Sequence, residues 1–133
     1  VSSANAVDLA FYNLIVATDK AVKEKPELVQ RWLKTYCEGV EAIRANQEEA
    51  PSWLYEFSLD EGITTTEEDC VKEIALRPFP TIEEQKELMN SGELKDLFLT
   101  FAQFLVNQGN LTQADYDKLA TGDFIDTEFI NNL

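Results

Sequence analysis

The sequence predicts a mainly α domain of six to seven helices in a compact bundle, with room for one strand near residues 13–17. Two observations carry this. Apolar residues recur at three- and four-residue steps through most of the chain. Proline or a capping residue stands before most of these runs, and glycine stands after several. Length fits the same picture: 133 residues, 44% hydrophobic with 14 aromatics, make one domain, 1–133, able to build a core.

Residues 5–24 admit two readings. Val7, Ala10, Phe11, Leu14, Ala17, Ala21 and Val22 recur at helical spacing, which favours one amphipathic helix in an isolated chain. Leu14-Ile15-Val16 followed by Thr18 and Asp19 also reads as a short strand and then a capped helix, the form that a parent with a sheet would impose.

Pro26 suits a helix first turn, where its missing N–H costs nothing. The helix it opens runs to about Ala45, with Val29, Trp32, Leu33, Tyr36, Cys37, Val40 and Ile43 on one face and Lys34, Glu38, Glu41 and Arg44 opposite. Asn46 is then expected to cap the next helix, whose apolar face is Trp53, Leu54 and Phe57 and whose end is Gly62. Thr65 and Glu68 have capping-box spacing for a helix to about Leu76.

Arg77-Pro78-Phe79-Pro80 must be extended, because each proline disfavours helix in the residue before it; this segment is the one candidate hinge. Thr81 caps Ile82 to Asn90, and Ser91-Gly92 breaks the chain. Glu93 to Gln108 follows, with Leu94, Leu97, Phe98, Phe101, Phe104 and Leu105 around much of its circumference and Gly109 beyond its end. Thr112 opens a helix ended by Gly122, and a short last helix spans about Thr127 to Asn132.

Composition excludes more than it assigns. With 25 Asp and Glu against 11 Lys and Arg, the net charge is −14, which repels nucleic-acid backbones and anionic lipid. Histidine is absent, so a Ser-His-Asp or Cys-His site within the chain is excluded, as is the commonest metal ligand. Cys37 and Cys70 belong to no CxxC pattern. Both sit among apolar neighbours and read as small buried hydrophobes, though an exported chain leaves one disulfide open. No run approaches the length of a membrane span, which is about 18 residues or more. The N-terminus lacks a basic region and reads as that of a processed form or an excised piece, not an intact signal peptide.

The acidic clusters Glu48-Glu49, Asp60-Glu61, Glu67-Glu68-Asp69 and Glu83-Glu84 could hold a metal or act as paired carboxylates. Three of them fall in expected helix first turns, where carboxylates complement the helix dipole, and none follows a calcium-loop pattern. Trp32, Trp53, Tyr55, Phe57, Phe98, Phe101 and Phe104 could line a pocket, but mostly fall on core faces; Tyr12 and Tyr55 are the two that packing explains least. No glycine-rich phosphate loop or hydrolase motif occurs. No catalytic residue, metal ligand or cofactor is therefore expected.

One resemblance adds a function. The string NLIVATDKAVKEKPELVQRWLK, Asn13 to Lys34, resembles the strand, short helix, proline and long helix in the second lobe of extracytoplasmic solute-binding proteins of ABC importers, of the aliphatic-sulfonate, nitrate and taurine type. That group is related to the pyrimidine-precursor synthases of thiamine biosynthesis. Phe79 to Thr112 and Lys118 to Asn132 resemble the same proteins' C-terminal helices.

The resemblance implies a two-lobed α/β parent whose ligand sits between lobes, here without its first lobe. It implies a small-molecule ligand and an ABC permease as partners, a periplasmic or cell-surface lipoprotein location, and no catalysis. Asn13 is the one candidate ligand contact, and the isolated piece could bury its orphaned apolar surface as a homodimer. Two other readings stand beside it: a stand-alone helical interaction module, and part of a pyrimidine-precursor synthase-like enzyme.

Overall fold

A computed structural model describes residues 14–133. Eight helices account for its regular structure: α1 (Asp19–Glu24), α2 (Pro26–Ala45), α3 (Ala50–Asp60), α4 (Glu67–Leu76), α5 (Ile82–Asn90), α6 (Glu93–Asn107), α7 (Gln113–Thr121) and α8 (Glu128–Asn131). No strand occurs among the described residues. The mainly α class holds, and six of the helices are long.

Residues 14–18 are neither helix nor strand, which corrects the continuous helix and the strand of the two readings as far as that stretch is described, while the helix capped at Thr18 forms as α1. Thr18 is the reason on the helical side. Its hydroxyl accepts from the Ala21 N–H at 3.2 Å, in an extended backbone conformation that starts α1 at Asp19. On the strand side, Leu14, Ile15 and Val16 meet no second strand, and Val16 is 86% exposed. A strand without a ladder leaves its backbone groups to water and has nothing to hold it.

Two caps differ from the sequence reading. Asn46 closes α2 and does not open α3: its side-chain amide donates to the Ala42 carbonyl at 2.8 Å. Pro51, in the first turn, fixes the start of α3 instead. The cap of α4 is Thr66, one residue later than expected. Its hydroxyl accepts from the Asp69 N–H at 3.2 Å and donates to the Asp69 carboxylate at 2.7 Å. Thr65 turns inward, 3.8 Å from the Cys70 sulfur.

The other starts follow expectation. Thr81 and Glu84 form a full capping box on α5, and Thr112 caps α7 through Asp115. Helices α3 and α6 both end in Schellman motifs. Gly62 and Gly109 take positive φ values of 70° and 74°, which lets Ile63 N–H reach the Ser58 carbonyl and Asn110 N–H reach the Leu105 carbonyl.

Tertiary order runs through neighbours. Helix α1 packs on α2, α3 on α4, α5 on α6 and α6 on α7, while the short α8 bridges α2 and α5. Gln30 of α2 donates to the Phe129 carbonyl at 3.0 Å. Asn90 and Asn131 exchange side-chain amide bonds at 2.9 and 3.1 Å. Arg44 donates to the Phe79 carbonyl and so ties the 77–80 segment to the end of α2. The core is small: Cys37, Val40, Ala50, Cys70, Leu94, Ala102 and Ile130, with Ser58 bonded to the Leu54 carbonyl.

Two glycines should respond to alanine with opposite signs. Gly109→Ala forces an L side chain into the left-handed region and should cost about 1 kcal/mol. Gly39 lies inside α2 with nothing within 4 Å of an added Cβ, so Gly39→Ala should stabilise the chain by about 1 kcal/mol. Urea unfolding of both variants checks the pair.

Candidate functional site

The acidic clusters separate once the helices are placed. Glu67, Glu68 and Asp69 occupy the first turn of α4, and Glu83 and Glu84 that of α5. Glu48 and Glu49 precede α3, outside its first turn, and Asp60 and Glu61 lie at its C-terminal end. Only two clusters therefore complement a helix dipole in the way expected of three. Among the described residues, no three Cys, Asp or Glu side chains gather where they could hold a metal ion.

The shifted carboxylates belong to caps. The Thr81 N–H donates to Glu84 at 2.7 Å and, with the Thr81 hydroxyl, holds that carboxyl below its ordinary 4.5. The Thr112 hydroxyl donates to Asp115 at 2.6 Å and, helped by Lys118, holds it below 3.8. Both groups favour the ionised form because a donor is already in place.

Cys37 and Cys70 are free thiols, both buried. Burial, then the charge of Glu41, pushes the Cys37 thiol up from its ordinary value. A protonated, buried sulfur is a poor nucleophile, so the small-hydrophobe reading fits Cys37.

The aromatics are where expectation fails. Trp32, Trp53, Phe57, Phe101 and Phe104 are exposed, not packed in the core. Trp32 and Tyr36 stack with ring centres 5.8 Å apart, and Phe101 and Phe104 with centres 6.2 Å apart. Tyr55 and Phe98 are half-buried. Phe98 meets Phe124 edge-on at 5.5 Å, under an Lys95 ammonium that also bonds the Gly122 carbonyl at 2.8 Å. These faces escape sequence reasoning because periodicity shows which side of a helix is apolar, not how much of that side the chain covers.

Two open depressions flank the start of α2. One, of about 520 Å³, is lined by Glu24–Leu28 and Arg31. The other, of about 410 Å³, lies between α2 and α8, with Gln30, Lys34, Phe129 and Asn132 among its walls. Neither was singled out in the sequence, and both mix charged side chains of either sign. Asn13, the candidate ligand contact, and Tyr12 lie outside the described residues.

Comparison with known proteins gives one informative likeness. The chain is 29% identical over 131 residues to a protein of Brachyspira hyodysenteriae provisionally named an ABC transporter periplasmic binding protein. The match takes in 98% of this chain and 36% of that protein, so the chain spans about a third of its relative's length. No family model matches the chain, and no solved structure does. The likeness supports a binding-protein relationship at the level of ABC transport and carries no information on the kind of solute.

Two predictions follow from the caps and the thiols. Because both cap carboxyls are depressed, their contribution is complete above the unfolded-state values and lost as pH falls through the lower folded-state ones. Thr81→Ala and Thr112→Ala should each flatten the fall in urea midpoint below roughly pH 4.5. A thiol-reactive dye should leave Cys37 and Cys70 largely unmodified in the folded chain and titrate both in denaturant; fast labelling of the folded chain would show the burial to be wrong.

Proposed function

We propose that the chain is the helical portion of the substrate-binding protein of an ABC importer, and that it supports ligand capture without catalysing a reaction. The observation that carries this is the 29% identity running almost the full length of the chain against an ABC transporter periplasmic binding protein. The resemblance of Asn13 to Lys34 to the second lobe of such proteins points the same way. In this reading the ligand is a small molecule held by a longer parent, the permease is the partner, and the location is extracytoplasmic. The 77–80 segment serves as a hinge between the helices before and after it.

Local features agree with a supporting role. The two depressions beside α2 are open to solvent and of mixed charge. Neither has the enclosed character of a small-molecule site. A cleft therefore needs walls from elsewhere.

The solute we propose is a small organic anion of the sulfonate kind, on the strength of the sequence resemblance. A net charge of −14 opposes an anion at long range, so the contacts that take it must come from local donors outside these helices.

A thermal-shift panel on the longer protein tests the reading. A ligand that binds only the folded state at about a hundred times its Kd stabilises by about 2.7 kcal/mol, so an alkanesulfonate, taurine or nitrate should raise Tm by several degrees. A shift only with cations or neutral solutes would correct the ligand class. No shift with any solute, together with turnover of a tested substrate, would overturn the binding-protein reading.

A further inference from the structure

Helices α3 and α4 pack chiefly on each other. Ala50, Leu54 and Ser58 form one covered stripe on α3 at four-residue steps, and Cys70 and Ile74 form one on α4. Every other residue of α4 is exposed, so α4 has no second stripe turned towards the rest of the chain. Among the described residues, no hydrogen bond or ion pair joins residues 50–76 to any other helix. Their bonds stay inside the pair or reach the chain just beyond its ends, as those of Ser52, Ser58, Thr65 and Lys72 do.

The chain enters and leaves this hairpin at two joints. At the first, α2 stops at Asn46 with φ −131° and ψ 48°. The Glu49 and Ala50 N–H groups then hang from the Asn46 carbonyl at 3.0 and 2.9 Å. At the second, Arg77 stays with α4: its N–H bonds the Ile74 carbonyl and its guanidinium pairs with Glu73. Phe79 and Pro80 stay with the other helices. The Phe79 carbonyl accepts from Arg44 of α2, and the Pro80 carbonyl accepts from Gln85 of α5 at 3.1 Å. Both prolines hold the segment extended, so the place left to turn is the joint between Pro78 and Phe79. Arg44 stands two residues before Asn46 and grips Phe79, and Glu41 lies 3.9 Å from its guanidinium. One side chain therefore ties the two joints together.

We infer that the α3–α4 hairpin is a rigid arm that turns as one unit on Asn46 and the Pro78–Phe79 joint, with Arg44 as the brace between the two pivots. This rests on the hinge read at 77–80 and sharpens it. The segment is half strut, moving with α4, and half anchor, fixed to α2 and α5, and its pivot is shared with the end of α2. Two pivots tied together permit rotation about the line through them and resist bending across it. The angle of the arm changes while α3 and α4 keep their mutual packing, with the backbone change absorbed by a few residues at element ends. Collective motion of this kind runs from microseconds to milliseconds. Arg44 is a positioning residue in this device: losing its bond lets the pivots separate and opens further directions of motion.

Residual dipolar couplings of the 133-residue chain test this, because they average helix orientation over that timescale. The couplings of α3 and α4 should fit one shared alignment, smaller in magnitude than that of α2, α5 and α6. Arg44→Met should deepen the loss in α3 and α4 and leave α5 and α6 unchanged. Arg44→Lys keeps a donor on a flexible stem and should recover part of it. Gln85→Met frees the Pro80 carbonyl alone; it should act in the same direction, and it decides the matter if Arg44→Met does not fold. A single alignment fitting every helix would overturn the inference. So would separate alignments for α3 and α4, a loss that spreads to α5 and α6, or a folded Arg44→Met chain with the couplings of the unsubstituted one. The solute panel reports separately: a turning arm with no ligand response leaves this inference standing and removes the transport reading, and a ligand response with a fixed arm does the reverse.

Discussion

Helix α2 sets the organisation of the chain, because its apolar arc is wider than any one neighbour can cover. Helix α1 folds back onto it, and α8 returns from the far end of the sequence to lie across it and reach α5. The amide bond from Gln30 to the Phe129 carbonyl and the reciprocal Asn90–Asn131 pair hold α8 in that position. Ile130 is then buried to 2% exposure, although α8 is only four residues long. A helix that short has no stability of its own; packing alone keeps it.

Local chemistry and tertiary packing are divided unevenly along the chain. Helices α5 and α7 begin at strong caps, and α3 and α6 end at Schellman glycines. None of these devices needs a neighbour, so helix boundaries are well specified even where little is buried. The ion pairs lie mostly three or four residues apart on exposed helix surfaces, as Lys34–Glu38 and Lys72–Glu68 do. Such pairs support the helix they sit on and do little to join helices. The chain thus defines its helices more firmly than it defines a closed core.

That division explains what could be read in the sequence. The mainly α class, the proline start of α2, the Thr81 box, the Thr112 cap and the glycine ends all rest on interactions within a few residues, and all were legible. The miss at Asn46 is a competition between two uses of one side chain, and that at Thr66 is a competition between two adjacent threonines for one cap position. Asn46 can bond backward to Ala42 or forward to α3, and Pro51 makes the forward bond unnecessary. The exposed aromatics were illegible for another reason. Trp32 and Phe101 lie on the apolar sides of their helices as periodicity requires, but coverage depends on what the rest of the molecule brings to that side. No candidate ligand contact could be placed, since Asn13 was the only one proposed.

Exposed apolar faces and a strongly acidic surface pull in opposite directions. Large apolar patches invite association, while a charge of −14 disperses like copies and lowers the gain from pairing them. The acidic surface thus opposes the self-association that the exposed apolar faces would otherwise favour. The stacked Trp32–Tyr36 pair fits that arrangement, since rigid aromatic rings lose little entropy on being covered and contribute much of the energy where they are. Exposed aromatic rings on α2 and an acidic exterior are therefore compatible, because like charge opposes the pairing of copies that the rings would otherwise favour.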